Sequence, residues 1–241
     1  ARRTRRIVAN SSGVVDFYAR HGLPREKFTV IPNAVLPPEP GPTSRDCLLE
    51  ELGLPPDARL IGLVGRLWPQ KRVDDAIWAA DLLKRVHAGA HLLILGDGPL
   101  RDRLRRFRDR LQIADRVHFL GQREDAGRIL PHFDVVWSTS AYEGQSNAIM
   151  EAMSQAIPVV ATDIAGTRDL VVDGQTGLLV SAARADRERR RATFAKHTLK
   201  LLEDAPLARR LGEAGRRRME TEFTVERMVA RHAELYRELL S

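Results

Sequence analysis

At 241 residues the chain is long enough for one large α/β domain or two small ones with a proper core. A hydrophobic share of 43% and a charged share of 29% are those of an ordinary globular protein, and no apolar run approaches the ~18 residues of a membrane-spanning helix. The formal charge of +7 suits nucleic acid, an anionic membrane or a phosphate-bearing substrate, while the single cysteine, Cys47, excludes an internal disulfide and a cysteine-rich zinc site.

The opening Ala1-Arg2-Arg3-Thr4 has neither an initiating methionine nor a secretory leader, which suggests a piece of a longer protein. Ile7-Val8-Ala9 is a short apolar run closed by Asn10-Ser11-Ser12, which has helix N-cap chemistry. Val14, Val15, Phe17 and Tyr18 predict a helix ending near Gly22, and Phe28-Thr29-Val30-Ile31 a strand stopped by Pro32-Asn33. Four prolines among the eight residues 36–43 mark a linker or ordered crossing and the best candidate domain boundary.

Beyond it, apolar runs at 60–64, 91–95, 117–120, 135–137, 159–161 and 177–180 alternate with helical stretches at 73–86, 100–111, 126–130, 147–154 and 167–171. Strands apolar on both faces and separated by helices predict a mainly parallel sheet covered on both sides, a Rossmann-like three-layer α/β/α fold. After residue 180 the strand signal stops, and 184–203, 206–222 and 225–240 read as three helices.

Open parallel sheets bind ligands beyond the carboxyl ends of their strands. There the predicted strands run into Gly65-Arg66, Gly96-Asp97-Gly98-Pro99, Gly121-Gln122-Arg123, Ser138-Thr139-Ser140 leading to Glu143-Gly144, and Thr162-Asp163. These loops are expected to converge on one rim. Its cations, Arg66 and Lys71, offer a planar fork and a mobile point charge to a diphosphate; the competing reading is ordinary surface charge. Gly65 favours the diphosphate, because it lets backbone approach a ligand closely. In Gly96-Asp97-Gly98 the dinucleotide fingerprint is incomplete, with Arg101 where a third glycine would stand, so a tight strand-to-helix turn is the simpler reading.

The densest signal is Glu143-Gly144-Gln145-Ser146-Asn147-Ala148-Ile149-Met150-Glu151-Ala152-Met153, whose two acids stand eight apart. Glu143 lies in a glycine-containing turn. Glu151 lies in a helix apolar on nearly every side, where a carboxylate is costly unless a protein donor or a ligand hydroxyl meets it. Ser146 and Asn147 open that helix and offer free N–H groups to an anion or a hydroxyl-rich ligand.

The seven histidines are scattered without metal-ligand spacing, His118 is expected to be a packing residue within its strand, and no Ser-His-Asp set stands out. Arginines at 101–110, 184–191 and 216–218 are interleaved with acids, and the spacing predicts solvated helix faces. Aromatics are only 5% of residues and do not interleave with the basic runs, which argues against nucleic acid as a partner.

Taken in order, Asn10-Ser11, Val30-Ile31-Pro32-Asn33, Gly65-Arg66-Leu67 with Lys71, Gly96-Asp97-Gly98-Pro99, Phe119-Leu120-Gly121, Glu143-Gly144 with Glu151-Ala152-Met153, and Pro158-Val159-Val160-Ala161-Thr162 form a series. The series resembles the retaining glycosyltransferases of family 4, which have the GT-B fold. The resemblance covers nearly the whole chain and corresponds to the C-terminal, nucleotide-sugar-binding half of such enzymes. It implies that 1–42 connect from an absent N-terminal acceptor domain, that 43–224 form the donor-binding domain, and that the helix at 225–241 crosses back to the absent domain.

The resemblance also implies roles. Arg66 and Lys71 would grip the donor diphosphate and stabilise the leaving nucleotide. Glu143 would contact the sugar near the reacting centre, helped by the backbone of Gly144, Gln145 and Ser146, and Glu151 would accept hydrogen bonds from the ribose hydroxyls. The backbone of Gly121, Gln122 and Arg123 would read the base, with Gly65, Gly96 and Gly98 beside the donor. No metal or other cofactor is implied. Ala156, Arg72 and Gln145-Ser146-Asn147 depart from the family pattern and leave the sugar open.

The expectation is therefore a donor-binding domain, inactive alone, of an enzyme moving sugar with retention from a UDP- or GDP-sugar to a saccharide or lipid acceptor. A non-catalytic nucleotide-sugar-binding module and a GT-B-like sugar-nucleotide epimerase are the alternatives. The expected location is cytoplasmic, and the basic surface leaves a peripheral contact with anionic lipid open.

Overall fold

The computed structural model describes residues 4–36, 44–183 and 186–241. The proline-rich linker beyond Leu36, the boundary placed at 42–43 and the first two residues of the helix expected at 184–203 lie outside the described residues.

A small unit comes first, made of β1 (Ile7–Ala9), α1 (Ser12–Arg20) and β2 (Phe28–Val30). The two strands pair in parallel, Ile7 against Phe28 and Ala9 against Val30, so this stretch is a βαβ unit with its own sheet. The Ser11 hydroxyl caps α1 by accepting from the Val14 N–H at 3.2 Å, as the N-cap chemistry predicts.

The main unit contains α2 (Arg45–Glu51), β3 (Arg59–Val64), α3 (Val73–Lys84), β4 (Ala90–Leu95), α4 (Arg101–Arg110) and β5 (Val117–Gly121). It continues with α5 (Ala126–Ile129), β6 (Val135–Ser138), α6 (Asn147–Ser154), β7 (Val159–Asp163), α7 (Ala165–Arg168) and β8 (Leu178–Ser181). Three long helices end the chain: α8 (Arg187–Glu203), α9 (Ala205–Glu222) and α10 (Val225–Leu240). The helix expected at 167–171 starts earlier, and α2 was not signalled by the sequence. Its N-cap, Ser44, follows directly on the proline-rich stretch, which hides the start of a seven-residue helix.

The six strands β3 to β8 form one parallel sheet in the order β5-β4-β3-β6-β7-β8. Side chains alternate between its faces. Ile61, Leu63, Leu92, Ile94 and Trp137 face a core closed by α3, α4 and α8. Leu60, Leu93, Leu95, Val136 and Val159 face a second core closed by α2 and α6. Both faces are thus dry, which is why the strands read as continuous apolar runs. At Gly62 a side chain has no room: a Cβ there would stand 2.1 Å from the Phe133 ring.

The strand order reverses between β3 and β6, and a crevice opens beyond the carboxyl ends of strands at such a point. The small unit is pinned beside it, because the Ser12 N–H and hydroxyl both donate to the Asp169 carboxylate at 2.7 Å. At the other end of the chain, α10 lies against the start of the same unit. Arg6 pairs with Glu238 at 2.6 Å and Arg5 donates to the Leu239 carbonyl at 3.0 Å. Among the described residues no helix is long and apolar enough to cross a membrane.

One expectation fails here. Arg190 and Arg191 are buried rather than solvated. With Arg187 they surround Asp75 of α3: Arg187 Nε and Arg191 Nε donate to Oδ1 at 2.9 and 2.7 Å, and Arg190 Nη2 to Oδ2 at 2.8 Å. Burial pushes the Asp75 carboxyl up, but the three guanidiniums outweigh it and hold it below the usual carboxylate range. The partner of the run sits on another helix, where i,i+4 spacing cannot reveal it.

Candidate functional site

Beyond the ends of β3 and β6 lies a cavity of ≈ 390 Å³. Its walls come from three places in the chain. The loop after β3 gives Gly65 and Lys71, the turn after β6 and the first two turns of α6 give Glu143, Gln145, Ser146, Asn147 and Glu151, and the segment after β2 gives Asn33.

Glu143 is held from three sides. It accepts from the Lys71 ammonium, from Ser140 Oγ at 2.7 Å and from Gln70 Nε2 at 3.3 Å. The turn that carries it is clamped by close backbone packing. A Cβ on Gly144 would stand 2.6 Å from Asn10 Oδ1, and a Cβ on Gly166 of α7 would stand 1.7 Å from the Gly144 carbonyl oxygen. Glycine at both positions lets α7 and the first βαβ unit brace the turn.

Glu151 lies in the second turn of α6, on that helix's side of the cavity, half-buried. Burial alone pushes its carboxyl above the usual range, and among the described residues no donor reaches it. Gln145 is 8% exposed; its Oε1 accepts from the Asn33 N–H at 2.6 Å, while its buried Nε2 has no partner among the described residues. Asn33 in turn donates from Nδ2 to Asn147 Oδ1 at 3.4 Å. The cavity thus holds a charge-compensated acid, an unpartnered acid and an unpartnered amide donor. That set suits a ligand with several hydroxyls and at least one anionic group. Among the described residues no three His, Cys, Asp or Glu side chains are placed to hold a metal ion.

The structure therefore brings together Gly65, Lys71, Glu143, Gln145, Ser146 and Glu151 from the sequence-based set. Others lie outside the cavity walls. Arg66 is exposed and its guanidinium sits over the Trp68 ring at 5.9 Å. The Arg123 side chain is occupied by Asp125 at 2.7 Å and Glu51 at 2.6 Å, which raises its already high pKa. Gln122 is exposed, and Gly121 turns the chain with φ +72°.

Gly96 and Gly98 have a packing reason of their own. A Cβ on Gly96 would stand 2.1 Å from the Gly65 carbonyl oxygen, and one on Gly98 2.7 Å from that of Leu67. The loops after β3, β4 and β5 are laced backbone to backbone, with Leu67 N–H donating to Asp97 O at 2.9 Å and Gly96 N–H to Gly121 O at 2.7 Å. Gln70 was not singled out from sequence, Ser140 was named only within its loop, and Asn147 only for the N–H groups of the helix start. Asn33 read as a strand stop and as a member of the resembling series, with no contact assigned to it.

A family model described as Glycosyl transferases group 1 matches residues 58–204, more than half of the chain. The chain belongs to the group 1 glycosyl transferases. Within this family it is 30% identical over 236 residues to the lipopolysaccharide core biosynthesis glycosyltransferase LpsE of Rhizobium meliloti, covering 97% of this chain and 64% of that protein. It is also 30% identical over 257 residues to the alpha-maltose-1-phosphate synthase of Mycolicibacterium smegmatis, covering 97% of this chain and 63% of that protein.

The same fold occurs in solved structures. Anabaena Alr3699/HepE, crystallised with UDP, superposes with a TM-score of 0.85 at 23% identity, over 97% of this chain and 64% of that one. WaaG, a glycosyltransferase involved in lipopolysaccharide biosynthesis, superposes with a TM-score of 0.77 at 20% identity, over 92% of this chain and 60% of that one. The three-layer α/β/α unit with its parallel sheet is the arrangement of GT-B glycosyltransferases. The chain spans 64% and 63% of the length of the two curated relatives.

Proposed function

We propose that this chain is the nucleotide-sugar donor-binding part of a retaining glycosyltransferase, which moves a sugar from a UDP- or GDP-sugar to a saccharide or lipid acceptor. Residues 43–224 bind the donor, while 1–42 and the helix at 225–241 join it to an acceptor-binding domain outside this chain. The chain alone is inactive because half of the cleft is elsewhere, and the intact enzyme works in the cytoplasm.

The observation that carries this reading is Glu151, an ionisable acid held half-buried over the crevice with no donor among the described residues. Vicinal ribose hydroxyls would supply the missing donors. Lys71 has three N–H donors, so it can keep Glu143 while binding a phosphate oxygen of the donor. As the glycosidic bond breaks, charge builds on the leaving diphosphate, and the ammonium stabilises it. Glu143, fixed by Ser140 and Gln70, faces the sugar.

UDP is the first ligand to test, since HepE was crystallised with both UDP and UDP-glucose. A thermal-shift screen of UDP, GDP and ADP against the chain reads occupancy directly; ligand at a hundredfold excess over its Kd adds about 2.7 kcal/mol. UDP or GDP should raise the Tm. No shift with any of them, in this chain or in the full-length enzyme, would overturn the proposal.

A further inference from the structure

Helix α4 carries six arginines and two aspartates in ten residues. Leu104 is buried, and Leu100, Phe107 and Leu111 pack on the same core at helical spacing, with the Phe107 ring stacked on Trp78 of α3 at 6.1 Å. The rest of the helix faces water. Two of its arginines are spent: Arg101 pairs with Asp97 at 2.8 Å and Arg108 with Asp109 at 2.7 Å. Arg103, Arg105, Arg106 and Arg110 are exposed and meet no carboxylate among the described residues, and Arg110 has only the Phe107 ring, at 5.8 Å. Asp102 is the single unpaired acid of the helix.

Arg103, Arg106 and Arg110 stand at i, i+3 and i+7 and form one stripe, with Asp102 and Asp109 between that stripe and Arg105. Like charges at this spacing oppose the helix that carries them, so a negative partner would relieve α4. The acids of α3 do not supply one. Asp74 and Asp75 are taken by arginines of α8, and Asp81 faces Arg85 at 3.6 Å. The stripe spans about 10 Å, more than a small anion can cover. Its partner has to be flat and repeatedly negative, as a layer of anionic lipid headgroups is, and clusters of four or more basic side chains on an amphipathic helix suit such a layer.

We propose that α4 is a membrane-contact surface, on which Arg103, Arg106 and Arg110, with Arg105 at the margin, dock the chain on a bilayer rich in anionic lipid. The contact is peripheral, because α4 turns its apolar side chains to the core. The helix starts three residues after Gly98, which packs on the Leu67 carbonyl in the loop that carries Lys71, so the stripe begins at the edge of the sheet where the crevice opens. Docking does not depend on the glycosyltransferase reading, which UDP binding tests separately.

The test is co-sedimentation of the 241-residue chain with vesicles of phosphatidylcholine alone and of equal parts phosphatidylcholine and phosphatidylglycerol. The chain should bind the mixed vesicles, not the neutral ones, and release them as salt rises. Arg103→Glu, Arg106→Glu and Arg110→Glu together should lower the partition coefficient at least about tenfold. Arg209→Glu, Arg210→Glu and Arg217→Glu together make the same change of net charge on α9 and should keep most of the binding. All six positions are exposed, so the fold should persist; an unchanged Tm without vesicles checks this, and the Gln versions replace either set if it falls. Docking through α4 is overturned if mixed vesicles are not bound, if neutral vesicles are bound equally, if the α4 variants lose nothing, if both sets lose binding equally, or if the chain prefers double-stranded DNA to mixed vesicles.

Discussion

The Lys71 ammonium donates to the Glu143 carboxylate across 72 residues of sequence, joining the loop after β3 to the turn after β6. Their side chains are 21% and 10% exposed, so the pair is only partly screened by water. A cation assigned to phosphate and an acid assigned to sugar thus neutralise each other. Glu143→Gln keeps a hydrogen-bonding side chain but removes the opposing charge. It should tighten UDP binding by about 1 kcal/mol, roughly fivefold, while Lys71→Ala weakens it. UDP carries no sugar, so calorimetry with it reads the diphosphate contact alone. Weaker UDP binding by Glu143→Gln would show that the acid helps rather than opposes that contact.

Glu151 gives a pH signature. Its folded pKa lies above the unfolded value, so its contribution to stability is full below about 4.5 and is lost as pH rises through the folded value. At neutral pH the ionised carboxylate is therefore a burden on the fold. Glu151→Gln should raise the unfolding free energy at pH 7 by about 1 kcal/mol, a figure discounted for the solvent that still reaches the group, and by nothing at pH 4. Equal stability of the two proteins at both values would mean that water or a protein donor already satisfies the acid.

His91 and His118 meet across β4 and β5, with His91 Nδ1 3.1 Å from His118 Nε2 and His91 Nε2 3.1 Å from Arg116 Nη1. Arginine has no acceptor, so His91 Nε2 accepts and its Nδ1–H donates to His118. Burial first, then the charges of His118 and Arg116 against that of Asp115, lower the His91 pKa from 6.5 to about 4. A depressed histidine stabilises the fold above its unfolded pKa and loses that contribution as pH falls from 6.5 towards 4. His91→Gln should flatten this part of the acid-unfolding profile by up to about 3 kcal/mol. An unchanged profile would place the acid sensitivity elsewhere.

Much of the fold was legible because its signals are local. The six strands are runs apolar on both faces, separated by helical stretches, so layer architecture follows from the sequence pattern. The two acids of α6 and its preceding turn were visible for the same reason: a charge in an apolar helix is conspicuous. What escaped is non-local. The Arg187, Arg190 and Arg191 clamp looked solvated because acids lie at helical spacing around it, yet its partner Asp75 is more than a hundred residues away. Gly96 and Gly98 read as a tight turn, and the resemblance put them beside the donor, but the surfaces that need them small belong to Gly65 and Leu67 in a neighbouring loop. Arg66 looked like part of the pocket and lies over Trp68 instead, since adjacency in sequence does not say which way a side chain turns.

The most direct measurement is a calorimetric titration of UDP into the chain and into its Glu151→Ala form. One site is expected in the unaltered chain, with a loss of about 2–4 kcal/mol of binding free energy in the variant, from ribose hydroxyls left without an acceptor. Equal affinity of the two proteins for UDP would contradict it.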